Sequence, residues 1–227
     1  KSSEVLLADI YFNEKKYDSS LFFSKNAFYQ LPNVNSHRNT YFKNLKLLND
    51  TLELDNAFNM IKDYNKLDNW YEYIIVRNEM GAKNDSKLLN LVQEFKKKFP
   101  DENHSKINNL EKIIKVGAYE YSESYKLSQS ALKEFQSKNY LKAVKLYESA
   151  ILLNNLDYVF YENAGIAHAL LENYEDAFKK YDEVIYRFET NNGKSEYLKG
   201  ILSMQLNIQD QGCKYLRQAA RKKYIDK

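Results

Sequence analysis

Three histidines, one cysteine and two adjacent pairs of acids are the side chains of this 227-residue chain best suited to chemistry. His37, His104 and His168 stand isolated, without metal-ligand spacing and without an evident nucleophile. His168, next to Ala169, reads as a packed or hydrogen-bonded histidine. A lone Cys213 excludes an intrachain disulfide and a Cys-based zinc cluster. It lies within an apolar-periodic segment and is expected to pack as a small buried residue. In Glu175-Asp176 and Asp182-Glu183 the neighbours point about 100° apart on a helix, so they do not converge on one substrate. The glycines are scattered and form no phosphate-cradling loop. No residue is assigned as catalytic, cofactor-binding or metal-ligating, no cofactor is implied, and the chain is not expected to be an enzyme.

The elements that carry these residues are helices. Apolar residues fall at 131, 132, 135 and then at 143, 144, 147, 150, 151, the i, i+3/i+4 spacing of one helix face. Ser137-Lys138-Asn139 makes a tight turn between them. The pattern returns as pairs over 159–171 with 175–188 and 195–206 with 211–222. It is weaker over 41–48 with 54–64, where Ala57 is taken as the small crossing residue, and over 70–80 with 88–99. Residues 103–118 fit no pair; Ile107, Leu110, Ile113 and Ile114 give a helical stripe, with a break or kink expected near Gly117. Only 6 Gly and 2 Pro occur, which suits long helices with short turns. The chain holds 44% hydrophobic residues, too many for a disordered chain, and 20 Tyr that can pack between helices with the hydroxyl toward water.

Ala143–Tyr147 reappears 34 residues later as Ala177–Tyr181. Ala131 aligns with Gly165, Asn139-Tyr140 with Asn173-Tyr174, and Ile151 with Ile185. Near the start, Leu7, Ala8, Tyr11, Phe12, Tyr17, Ser20 and Ala27 repeat the scheme, with Pro32 as the stop. Gly200, Met204, Gly212, Leu216 and Ala219 repeat it near the end, one residue out of step. This pattern resembles the tetratricopeptide repeat, a helix-turn-helix unit of about 34 residues. The resemblance implies an all-α, right-handed α-solenoid of antiparallel helix pairs. It divides the chain into degenerate repeats over 1–100, a connector helix region over 101–124 and C-terminal repeats over 125–227. Small residues (Ala131, Gly165, Gly200; Ala143, Ala177, Gly212) are expected where paired helices cross, with Tyr147 and Tyr181 filling space between repeats.

In this family the first helix of each pair lines a concave groove. The groove positions are Leu132, Gln136, Glu162, Asn163, Ile166, Lys194, Tyr197, Ile201 and Gln205. The resemblance implies a protein-protein interaction scaffold whose partner is a protein or peptide of unknown identity, with a homo-oligomer also compatible. Members that hold a C-terminal carboxylate use five polar side chains. Asn163 and Lys194 match, but Ser128, Leu132 and Leu198 do not supply the remaining charge-assisted bonds. A soluble appendage of a bacterial membrane protein, in surface-polysaccharide assembly or secretion, is the alternative context. RNA binding is disfavoured by the apolar groove positions.

Net charge is +3, too small to demand an anionic partner. The basic runs at Lys96–Lys98 and from Arg217 to Lys227 read as solvated helix ends, so nucleic acid is not expected as a partner. No run of about 18 apolar residues occurs, so no membrane insertion is expected in this fragment. The chain begins at Lys1, which suggests a fragment or processed product. The compartment stays open between the cytoplasm and a periplasmic or membrane-tethered setting. Sequons at Asn49, Asn84 and Asn103 are those expected by chance in so Asn-rich a chain.

Overall fold

A computed structural model describes residues 2–64, 66–81, 85–101, 104–188 and 190–224. Asn84, Asn103 and the last three residues of the basic C-terminal run lie outside them. Among the described residues the secondary structure is helical throughout. The chain divides into two compact units, Lys1–Ala118 and Tyr119–Lys227.

The first unit holds α1 (Ser3–Asn13), α2 (Tyr17–Gln30), α3 (Asn35–Leu47), α4 (Thr51–Ile61), α5 (Leu67–Glu79), α6 (Ser86–Lys98) and α7 (Ser105–Val116). The second holds α8 (Ala118–Gln136), α9 (Tyr140–Leu153), α10 (Tyr158–Leu170), α11 (Tyr174–Arg187), α12 (Lys194–Gln205) and α13 (Gln209–Arg221). Side chains start several of them. Ser2, Asp50, Asp85 and Asp157 each accept a bond from a backbone N–H in the first turn, satisfying a donor the helix itself leaves unpaired. The stripe that begins at Ile107 stops at Gly117, whose φ of 103° is open to glycine and closed to most other residues.

The turn inside each pair is set by the backbone. One residue is left-handed in each: Lys15 (φ 61°), Asn49 (53°), Gly81 (91°), Lys138 (61°), Glu172 (61°) and Asn207 (60°). The N–H groups of Lys15 and Lys16 return to the carbonyls of Phe12 and Tyr11, and the same two bonds recur at Asn49, Lys138, Glu172 and Asn207. This is the Schellman closure of a helix C-terminus, usually made with glycine.

Counting from that turn residue fixes the register. Seven residues before it stand Ala8, Phe42, Ile74, Ala131, Gly165 and Gly200, all buried. Five after it stand Ser20, Leu54, Ala143, Ala177 and Gly212, again buried, whereas in the α5–α6 pair the exposed Ser86 stands there. The small residues therefore lie at crossings in the second unit, as expected. A Cβ on Gly165 would sit 2.6 Å from Tyr181 Cε1, and one on Gly212 2.5 Å from Met204 Sδ. In the pair α3–α4, however, Leu54 and not Ala57 occupies the crossing position. Tyr181 touches both sides: its ring covers Gly165 in its own pair and joins Leu202 of the next in one apolar cluster.

The first unit has one large apolar core that runs from Phe28 through Trp70 and Phe95 to Ile114. Polar groups are set within it. Arg38 is fully buried, yet each guanidinium nitrogen is satisfied. Nε donates to Glu72 at 2.6 Å, Nη1 to Asn69 at 2.5 Å and Nη2 to Asn35 at 3.0 Å. Burial pushes the Glu72 carboxyl up from its ordinary pKa and Arg38 opposes the shift. Asn44 donates to Ser20 and Ser24, joining α3 to α2. In the second unit the cores are smaller, centred on Tyr147 with Phe160 and on Tyr181 with Leu202.

Cys213 is exposed, contrary to the expectation of a buried thiol. The buried stripe of α13 is Gly212, Tyr215 and Ala219. Cys213 is about 100° away from Gly212 around the helix and so lies off that stripe.

Candidate interaction surface

In the second unit the first helices of successive pairs lie side by side. Tyr125 of α8 meets Phe160 of α10 edge to face, with ring centroids 5.3 Å apart, and donates its hydroxyl to the Asp157 carboxylate. Between α10 and α12 the Glu162 carboxylate accepts from Ser195 Oγ at 3.0 Å and faces Lys194 Nζ at 3.0 Å. The second helices are tied likewise, by Glu148 of α9 to Lys180 of α11 at 2.8 Å.

Burial decides which faces of α10 and α12 are open. After Tyr158, the residues of α10 that keep exposure are Val159, Asn163, Ile166, Ala169 and Leu170. Those of α12 are Lys194, Tyr197, Leu198, Ile201, Met204 and Gln205. Both sets follow one helical stripe, and the rest of each helix is packed. On α8, Leu132, Phe135 and Gln136 carry the equivalent stripe. Leu132, Val159 and Leu170 are 46%, 39% and 50% exposed, so large aliphatic side chains face outward on α8 and α10; Met204 of α12 is 39% exposed while its sulfur packs toward Gly212 of α13.

Eight of the nine residues expected in the groove lie on these stripes. Leu132, Gln136 and Gln205 are exposed; Asn163, Ile166, Lys194, Tyr197 and Ile201 are half-buried. Glu162 is instead buried at 1% exposure, because Ser195 and Lys194 close over its carboxylate. It joins two helices and offers nothing to a ligand. Asn163 lies near the Tyr147 hydroxyl, whose pKa burial pushes up. Val159, Leu170 and Met204 complete the surface. The offsets of Lys194 and Gln205 from Gly200, six before and five after, give Val159 and Leu170 when counted from Gly165.

The titratable side chains are engaged in structural bonds. His37 Nδ1 lies 2.8 Å from the Ala27 carbonyl and His104 Nε2 2.8 Å from that of Phe99. His168 Nε2 lies 3.3 Å from Glu148 Oε1. This contact, followed by the Lys180 ammonium, holds the Glu148 carboxyl below its ordinary pKa. The surrounding recess, about 430 Å³, is lined by Glu148, His168, Asp176, Lys179, Lys180 and Glu183. Its lysines are paired: Lys180 with Glu148 at 2.8 Å, and Lys179 with Asp176 at 3.5 Å and with the neighbouring Glu175 at 2.8 Å. Of the adjacent acids, Asp182 and Glu183 diverge as expected, to Lys199 and Arg187, whereas Glu175 and Asp176 both reach Lys179. Among the described residues no cluster of three His, Cys, Asp or Glu could hold a metal ion. No helix there is long and apolar enough to cross a membrane.

No family model matches the chain, and no curated protein matches it. Similar solved structures include two of MamA, each 12% identical over 96% of this chain. They have TM-scores of 0.39 and 0.42 and are covered over 94% and 89% of their own length. A third is the TPR2AB domain of yeast Sti1 in a pHSP90 complex, 16% identical over 96% of this chain and 89% of its own, with a TM-score of 0.43. Likeness at this level adds nothing to what the helix pairs themselves display. With paired helices, left-handed turns 34 or 35 residues apart at 138, 172 and 207, and small residues at the crossings, the second unit is an all-α array of antiparallel helix pairs with the repeat geometry of the tetratricopeptide type.

Proposed function

We propose that this chain is a non-catalytic interaction scaffold that receives a segment of a partner protein on the open face of α8, α10 and α12. The observation that carries this reading is the exposure of Leu132, Val159, Leu170 and Met204 along three neighbouring helices. Single exposed apolar residues are ordinary; several on the same-facing stripes of neighbouring helices support an interaction surface. Lys194, the ionised residue on the stripes of α10 and α12, is already paired with Glu162, so a phosphate backbone finds little to hold there.

The reading is tested by placing a photo-crosslinking amino acid at Leu170, and separately at Leu152, which is 86% exposed on α9. In cells that naturally express the chain, Leu170 should capture a discrete protein and Leu152 should not. Equal capture at both positions, or none at Leu170, rejects it.

A further inference from the structure

The chemistry of this surface narrows its partner. We infer that the segment it receives is an amphipathic α-helix presenting an uncharged aliphatic face. This rests on the scaffold reading above and goes beyond it in naming the occupant.

The first ground is charge. Lys194 Nζ lies 3.0 Å from the buried Glu162 carboxylate, so the pair is neutral toward a ligand. A charged segment would be desolvated on this face without a counter-charge, which is costly. The second ground is the backbone of the partner. An extended segment brings an N–H and a C=O per residue, and each must find a bond when buried. Two of the polar groups nearest the middle of the surface are already used within the chain, Tyr125 by Asp157 and Lys194 by Glu162. Gln136 and Gln205 stand at the last residues of their helices, away from the middle. A helix satisfies its own backbone and asks of the surface only apolar contact, which Leu132, Val159, Ile166, Leu170, Ile201 and Met204 supply. Three helices packed about 8–10 Å apart are spanned by roughly 14 helical residues at about 1.5 Å each.

The test is selection of random displayed peptides, about 16 residues long, on the full chain. Enriched peptides should carry Leu, Ile, Met or Phe at i, i+3, i+4 and i+7 with no charge on that face. The leading peptide, made synthetically, should gain helicity on binding. Its Kd should change less than about threefold between about 50 and about 500 mM salt. Leu170→Glu should weaken it by more than about tenfold, and Leu132→Glu should do the same. Both side chains are about half exposed, so both variants should keep the wild-type circular dichroism spectrum. Enriched peptides that are acidic or Pro-rich, and are lost in Leu170→Glu, overturn the helical occupant and leave the scaffold surface standing. Peptides retained by both variants overturn the surface itself, and failure to enrich any peptide overturns both.

Discussion

Seven residues before the turn, the second unit places Ala131, Gly165 and Gly200, whereas α3 and α5 of the first place Phe42 and Ile74. Both sets are buried, so the same position is filled by two kinds of packing. In Tyr119–Lys227 a small residue lets a partner's ring or methyl group lie against the helix backbone, as Tyr181 does over Gly165. In α3 and α5 of Lys1–Ala118 bulk at that position belongs to one broad aromatic core, while α1 keeps the small Ala8, and buried polar groups such as Arg38, Asn44 and Asn69 fix the helices against each other. Close crossing thus specifies one arrangement by shape, and the polar lattice specifies the other by hydrogen bonds.

The contrast can be broken most strongly at Arg38. Arg38→Ala should destabilise the first unit by about 3–5 kcal/mol in denaturant unfolding, because it leaves Glu72 and Asn69 without their buried partner. The double change Arg38→Met with Glu72→Leu should recover most of the loss. If Arg38→Ala unfolds like the wild type, the lattice does not hold that unit. A smaller effect is expected at the shape-determined crossing. Gly165→Ala should cost about 1–3 kcal/mol, since the added Cβ meets Tyr181 at 2.6 Å. Shortening the obstacle with Tyr181→Leu should reduce that penalty, and a penalty unchanged by it would place the strain elsewhere. The smallest effect concerns what the units share. Glu172 holds φ at 61° without being glycine, so Glu172→Gly should raise the unfolding midpoint by the equivalent of about 0.5–1 kcal/mol. A fall in the midpoint would mean that the Glu172 side chain matters more than its backbone.

What the sequence discloses follows the same division. Small residues at fixed spacing are rare enough to be read, so the pairs of the second unit and its open stripes were legible, as was the break at Gly117. Phe42, Ile74 and Leu54 are ordinary helix residues, and nothing in their type marks a crossing; Ala57 draws attention there because it is small. Arg38 and Glu162 are charged residues on helices, which by default face water, and only the partners brought from the next pair show that they are buried. Cys213 departs from its expected burial because a cysteine on an apolar stripe and one beside it differ by a single position. The left-handed turns escape notice for a related reason: Lys15, Asn49, Lys138, Glu172 and Asn207 share a conformation and no common side chain.

That last feature has a practical side. A turn closed by main-chain bonds leaves its side chain free of structural duty, and Lys138 and Glu172 both face solvent at the same point of successive pairs. With Cys213 replaced by serine, cysteines introduced at 138 and 172 would carry a pair of spin labels separated by one pitch of the array. Their separation would report directly on whether a captured segment stretches or tightens the coil.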